Sequence, residues 1–150
     1  RIQVEVEWLI HLTDAELFGS RRLTADEARQ LRAIVTDFGD DDIADLARRE
    51  AVTRHDVKAV EYLVRDKLTA LGLTEIAELT HFACTSEDIN NLAYALTIRA
   101  AVRDVWMPRA RSLVETLRAL ALELRDQPML AHTHGQPATP TTMGKELAVT

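Results

Sequence analysis

Apolar residues recur at helical spacing along nearly the whole chain, and only five glycines and four prolines interrupt it. Such a pattern predicts helices and leaves little room for sheet. Ile2, Val6, Leu9 and Ile10 form the first stripe, although the alternation Val4, Glu5, Val6 keeps a strand as an alternative there. Thr24 and Glu27 stand at capping-box spacing before Ala28, Leu31, Ile34 and Val35, and Phe38-Gly39 ends that element. Asp40-Asp41-Asp42 places negative charge at the next helix start, ahead of Ile43, Leu46 and Ala47. Thr53-Arg54-His55-Asp56 caps a helix with Val57, Val60, Leu63, Val64 and Leu68 on its buried side, and Gly72 stops it.

A short helix is expected from Thr74 to about Phe82, followed by two long ones. The first carries Ile89, Leu92, Ala93, Leu96, Ala100 and Val105, and the second Leu113, Leu117, Leu120, Ala121 and Leu124. Pro108 between them either opens the second helix or kinks one continuous rod. Met129 to Gln136 lacks helical pattern and is read as extended, and Thr139-Pro140 as a new helix start, with Thr as N-cap. The fold class expected is all-α, with helices long enough for a bundle and a single candidate boundary near Thr85. The first residues open with no initiator Met or signal-peptide pattern, and Lys145 to Thr150 still read as helix, so the chain is expected to be a piece of a longer one.

Charge and cysteine content narrow the function. With 18 Lys plus Arg against 24 Asp plus Glu the net charge is −6, which disfavours nucleic acid and anionic membrane surfaces as partners. No apolar run approaches a membrane span. The single cysteine, Cys84, cannot form an internal disulfide and fits a reducing compartment, so the expected location is cytoplasmic.

Three clusters could carry chemistry. Arg54, His55, Asp56 and Lys58 surround a helix start whose free amides, with the two cations, can hold a phosphate or carboxylate; Asp56 can hydrogen-bond His55 and fix its tautomer. The alternative is an ordinary capped surface helix. In His81-Phe-Ala-Cys-Thr85-Ser86-Glu-Asp88, two adjacent hydroxyls at a helix N-terminus can seat an anion, with His81 one turn upstream, or Thr85 and Asp88 simply cap the helix. Cys84 reads as a small buried apolar group rather than a nucleophile. In His132-Thr133-His134-Gly135-Gln136-Pro137, an extended backbone would point both histidines to one side, which makes a metal pair one physical possibility, although no carboxylate or Cys stands at ligand spacing to support it. A catalytic imidazole in proton transfer and a structural turn are the other readings.

Taken in order, Arg54-His-Asp-Val-Lys-Ala-Val-Glu-Tyr62, His81-Phe-Ala-Cys-Thr-Ser-Glu-Asp-Ile-Asn-Asn91 and Thr133-His-Gly-Gln-Pro-Ala-Thr-Pro140 resemble the adenylosuccinate lyases, a branch of the fumarase/aspartase superfamily. The resemblance covers nearly the whole chain. It implies a helical N-terminal domain over 1–84, with 85–150 beginning a central helical bundle that these residues leave incomplete. It further implies a homotetramer with active sites shared between subunits, elimination of fumarate from adenylosuccinate and from the succinyl-aminoimidazole-carboxamide ribotide of purine synthesis, and no metal or organic cofactor. The implied substrate is thus a small succinyl-purine nucleotide.

Carried over by position, His134 is the general acid that protonates the departing nitrogen, with Thr133 beside it. Arg54, His55 and Asp56 take the nucleotide end, Thr85 and Ser86 a succinyl carboxylate, and His81 and Gln136 contribute further contacts. The family's base is a serine in a flexible loop with a Ser-Ser-x-Met-Pro-x-Lys-x-Asn-Pro signature, which these residues lack; it is expected downstream, leaving the piece alone inactive. Two other readings are a related lyase, such as argininosuccinate lyase, and a helical interaction module that does no chemistry.

Overall fold

In a computed structural model describing residues 1–150, seven α-helices follow one another, with four two-residue strands near the C-terminus. The residues fall into two units, Arg1–Thr97 and Ile98–Thr150.

The first unit contains α1 (Ile2–Asp14), α2 (Ala25–Thr36), α3 (Asp40–Thr53), α4 (Asp56–Ala70), a 3₁₀ segment at Thr74–Leu79 and most of α5 (Ser86–Ala100). Its starts follow local chemistry. Thr24 accepts the Glu27 amide while the Glu27 carboxylate accepts the Thr24 amide, completing the expected capping box of α2. Gly39 opens α3 with its amide held by Asp42, and Gly72 leaves the last turn of α4 at φ +77°, a conformation glycine adopts without a Cβ penalty. The expected helix from Thr74 to Phe82 is instead the shorter 3₁₀ segment.

α1 is a helix buried around much of its circumference, because it lies between two apolar clusters. Val6, Leu9 and Ile10 join Leu31, Val64, Leu68 and Ile76 in the larger cluster, whereas Val4 meets Val57 and Ile89 in the smaller one. The Val4-Glu5-Val6 alternation therefore marks two opposed contacts on one helix rather than a strand. Leu9, Leu31 and Leu68 are fully buried, each worth about 1.5–3 kcal/mol relative to exposure.

The second unit takes in the last residues of α5 and then a π-helical stretch, Ala101–Trp106, that runs directly into α6 (Met107–Glu123). Helical backbone continues through the junction, with Trp106 at φ −67°, ψ −51°, and Pro108 stands in the first turn of α6 within one continuous helical run. Its ring would collide with the carbonyl four residues back. The Met107 amide reaches five residues back to the Val102 carbonyl, and this wider turn precedes the proline.

Beyond α6 the backbone forms β1 (Pro128–Met129), β2 (His132–Thr133), β3 (Gln136–Pro137) and β4 (Thr141–Thr142), then α7 (Met143–Ala148). β1 pairs antiparallel with β4, and β2 with β3. Two expectations fail here. The run from Met129 to Gln136 is not extended throughout, since it turns back on itself at His134-Gly135. The last helix starts at Met143 rather than at Pro140, because Thr141 and Thr142 pair with Met129 and Pro128 and the hydroxyl of Thr142, not Thr139, accepts the Lys145 amide. α7 lies very close to α6: the Gly144 amide donates to the Leu124 carbonyl at 2.9 Å.

No helix is long and apolar enough to cross a membrane. Leu92, Tyr94 and Leu96 on α5 are exposed, as are Leu113 and Val114 on α6. The architecture is all-α apart from the two short β ladders, with the apolar faces of its long helices uncovered.

Candidate functional site

His55 is the N-cap of α4, and its Nδ1 accepts the Lys58 amide at 3.2 Å. A nitrogen that accepts a backbone N–H carries no proton, so the neutral ring is protonated at Nε2. The helix start, rather than Asp56, thus selects the tautomer. Asp56 Oδ1 stands 3.7 Å from Nδ1 and instead accepts the Val57 amide at 2.8 Å, while Oδ2 pairs with Arg1 at 2.8 Å. Thr53, expected to cap this helix, holds the turn before it through the His55 amide and carbonyl. Arg54 occupies the left-handed region at φ +51° with its side chain exposed and in no ion pair.

The first and second clusters meet. His55 Nε2 lies 3.3 Å from Ser86 Oγ, across 31 residues of sequence. Thr85 caps α5 in both directions: its hydroxyl accepts the Glu87 amide at 3.2 Å, and its own amide donates to Asp88 at 2.8 Å. The capping reading and the anion-seat reading are thus compatible, since the first turn of an α-helix leaves several amides available. Lys58, at the same helix start as His55, sends its ammonium to Glu61 at 2.7 Å.

His81 is bound to a residue that sequence inspection did not single out. Its Nδ1 lies 2.7 Å from Oε1 of Glu5, a carboxylate without solvent exposure whose Oε2 has no hydrogen-bond partner. Burial pushes the Glu5 carboxyl above its ordinary range, and the hydrogen bond and charge of His81 pull it back. His81 at φ +64° and Ala83 at φ +58° are both left-handed, a conformation that costs a residue with a Cβ about 1–2 kcal/mol. Trp8 fastens the same stretch from α1, donating its indole N–H to the Phe82 carbonyl at 2.8 Å. Cys84 is partly buried, and burial, then the charges of Glu5 and Asp88, raise its thiol pKa, as suits an inert packing group.

In the second unit, Thr133 pairs with Gln136, leaving His134 and Gly135 as a two-residue turn with φ +50° and +74°. Positive φ at both central positions is the I′ geometry, whose twist matches the flanking strands. His132 lies in the strand while His134 sits at the tip, so the alternation needed for a same-side histidine pair is absent. No three His, Cys, Asp or Glu side chains anywhere in the chain gather as a metal-binding group. The side chains of Thr133, His134 and Gln136 are exposed.

In the first unit, Thr85, Ser86 and Nε2 of His55 offer hydrogen-bond donors for an anion and Arg54 a guanidinium; the second unit, by itself, carries an exposed imidazole at its hairpin tip. An apolar groove of about 600 Å³ is lined by Val4, Trp8, Cys84, Ile89, Leu92 and Leu96 among others.

Comparison with known proteins places this geometry in a family. A family model described as a lyase matches residues 3–150. Adenylosuccinate lyase of Escherichia coli strain K12 is 46% identical over 150 residues, covering 99% of this chain and 33% of that protein. The adenylosuccinate lyase of Dictyostelium discoideum is 44% identical, with the same coverage of each. Among solved structures, a fumarate lyase from Mesorhizobium sp. BNC1 superposes with a TM-score of 0.72 at 26% identity, over 99% of this chain and 33% of that one. A 3-carboxy-cis,cis-muconate lactonizing enzyme from Pseudomonas putida, at 24% identity and a TM-score of 0.70 over 99% and 32%, shares the fold. The chain spans about a third of the length of the curated relatives it matches. With nearly every residue matched by the family model and the helical architecture repeated in the solved structures, this chain belongs to the lyase family.

Proposed function

We propose that the protein containing this chain is an adenylosuccinate lyase, which eliminates fumarate from adenylosuccinate to give AMP and acts likewise on the succinyl-aminoimidazole-carboxamide ribotide of purine synthesis. The observation that carries this reading is the 46% identity to an adenylosuccinate lyase across 99% of the chain. The approach of His55 to Ser86 supports it, because it gathers two of the implied substrate-binding groups.

In the proposed reaction a base removes a proton from the carbon next to a carboxylate, the neighbouring C–N bond breaks, and its electron pair leaves with the purine-bound nitrogen. Negative charge accumulates on the carboxylate during proton removal. Thr85 and Ser86, with the amides at the start of α5, hold that carboxylate and act most strongly in the transition state. His134 gives its proton to the departing nitrogen, with Thr133 and Gln136 beside it on the hairpin. Arg54, His55 and Asp56 take the nucleotide end, and His81 contributes to binding. The base, a serine by resemblance, comes from a segment outside these residues.

The same reading makes 1–84 an N-terminal domain and 85–150 the opening of a central bundle. It makes the assembly a homotetramer in the cytoplasm, with sites completed by neighbouring subunits. The exposed apolar faces of α5 and α6 support that assembly, since large uncovered patches seek partners.

The test is His134→Gln in the full-length protein, assayed for fumarate release. A fall in kcat of about 10²–10⁴ is expected for loss of a general acid; unchanged turnover removes histidine catalysis. Cleavage of argininosuccinate instead of adenylosuccinate by the unaltered protein overturns the substrate assignment, and fumarate release by the 150-residue chain alone overturns the placement of the base elsewhere.

A further inference from the structure

We propose that Glu5 is a positioning residue, which holds His81 and through it the stretch that delivers Thr85 and Ser86 to the substrate's carboxylate. The inference rests on the function proposed above and assigns a role to a side chain that makes no contact there with substrate.

Glu5 lies in the first turn of α1. Its neighbours Val4 and Val6 enter two separate apolar clusters, so the residue between them is held from both sides with no exposure. A buried carboxylate is costly unless a specific partner offsets its desolvation. Glu5 has one such partner, His81 Nδ1 at 2.7 Å, and leaves its second oxygen unpaired. An apolar residue of similar size would satisfy packing alone, so packing does not account for the carboxylate. The contact it makes is the familiar use of a carboxylate behind an imidazole: Nδ1 is committed, the ring plane is fixed, and Nε2 is the nitrogen left available.

His81 also begins a strained stretch. His81 and Ala83 both adopt positive φ without being glycine, and such conformations persist only where surrounding contacts over-determine them. Two contacts from α1 do so, Glu5 to His81 and the Trp8 indole to the Phe82 carbonyl at 2.8 Å. Two residues after Ala83 comes Thr85. The orientation of the first turn of α5 is thereby tied to α1 at its N-terminal side. If α1 lets go of His81, the strained residues relax and the hydroxyls of Thr85 and Ser86 move relative to His55.

The experiment uses the full-length enzyme with three variants, Glu5→Leu, Glu5→Gln and Trp8→Phe. Binding of fumarate and of AMP is measured separately by calorimetry, alongside kcat, KM and the melting temperature. Glu5→Leu should weaken fumarate, which carries the carboxylates, by about tenfold or more while AMP binding stays within about twofold. Glu5→Gln keeps an acceptor for Nδ1 and should restore fumarate binding to within about threefold of the unaltered enzyme. Trp8→Phe keeps the ring but loses the N–H, and should weaken fumarate by about threefold with AMP unaffected.

A folded Glu5→Leu enzyme that binds fumarate normally, or loses fumarate and AMP in parallel, overturns the positioning role. If Glu5→Leu does not fold, Trp8→Phe decides: unchanged fumarate binding overturns the proposal, and selective weakening supports it. An unaltered enzyme that neither binds fumarate nor cleaves adenylosuccinate overturns the parent reading and this one together, whereas an active enzyme indifferent to Glu5 removes this one alone.

Discussion

The amide of Lys58 donates to Nδ1 of His55, which leaves Nε2 as the protonated nitrogen of the neutral ring, 3.3 Å from Ser86 Oγ. Nitrogen-15 NMR of the histidine-labelled chain should therefore report the Nε2–H tautomer for His55. His55→Asn should keep the helix cap and stay within about 0.5 kcal/mol in stability, whereas His55→Ala should lose about 0.5–2 kcal/mol in chemical denaturation. Equal stability of the two variants would contradict the capping role.

Gly144 has no room for a methyl group. A Cβ there would lie 2.3 Å from the Ala121 carbonyl oxygen and 2.6 Å from the backbone of Arg125, none of which is a flexible side-chain end. Gly144→Ala should cost about 1–3 kcal/mol or detach α7 from α6. Calorimetric unfolding together with loss of amide protection in Met143 to Ala148 would register this, and unchanged protection would count against the packing.

Acid should loosen the start of α2. The Arg21 guanidinium, then the Thr24 amide, hold the Glu27 carboxyl down at about 2, from an ordinary value of 4.5. A depressed carboxyl contributes stability that is fully present above its unfolded pKa and lost as pH falls through the folded one. The contribution should thus fade between about pH 4.5 and 2. Glu27→Gln should flatten the acid limb of a stability profile in that window, and an identical limb in both proteins would remove the effect.

Leu31 and Val52 make a matched contrast. Leu31 is wholly buried and Val52 is 84% exposed. Leu31→Ala should cost about 2–5 kcal/mol, against less than about 0.5 kcal/mol for Val52→Ala, in equilibrium denaturation.

What the chain's residues disclosed in advance was local. The cap at Thr24 and the stop at Gly72 are decided within one helical turn, so spacing alone reveals them. Glu5 was hidden because its hydrogen-bond partner lies 76 residues away, and a lone acid in an apolar stripe looks like alternation. The hairpin at His134 was hidden for another reason: Pro137 is a poor strand residue, and the ladder that includes it is only two residues deep. Thr139-Pro140 carries a valid start signal, yet pairing of Thr141 and Thr142 outcompeted it. The meeting of His55 with Ser86 was foreshadowed only by resemblance, since no periodicity joins the starts of α4 and α5.

The left-handed turn at His134-Gly135 sets thermal selection against the proton transfer proposed for His134. Asparagine adopts positive φ more readily than histidine, and Asn-Gly is the favoured pair for this kind of two-residue hairpin. A programme that ranks substitutions by melting temperature, or a lineage drifting toward greater robustness, would thus be rewarded for exchanging His134 for asparagine. The hairpin would become more stable, and the only imidazole at its tip would be gone. Persistence of histidine at that tip among working descendants of this sequence would therefore measure selection on turnover, against the local preference of the backbone.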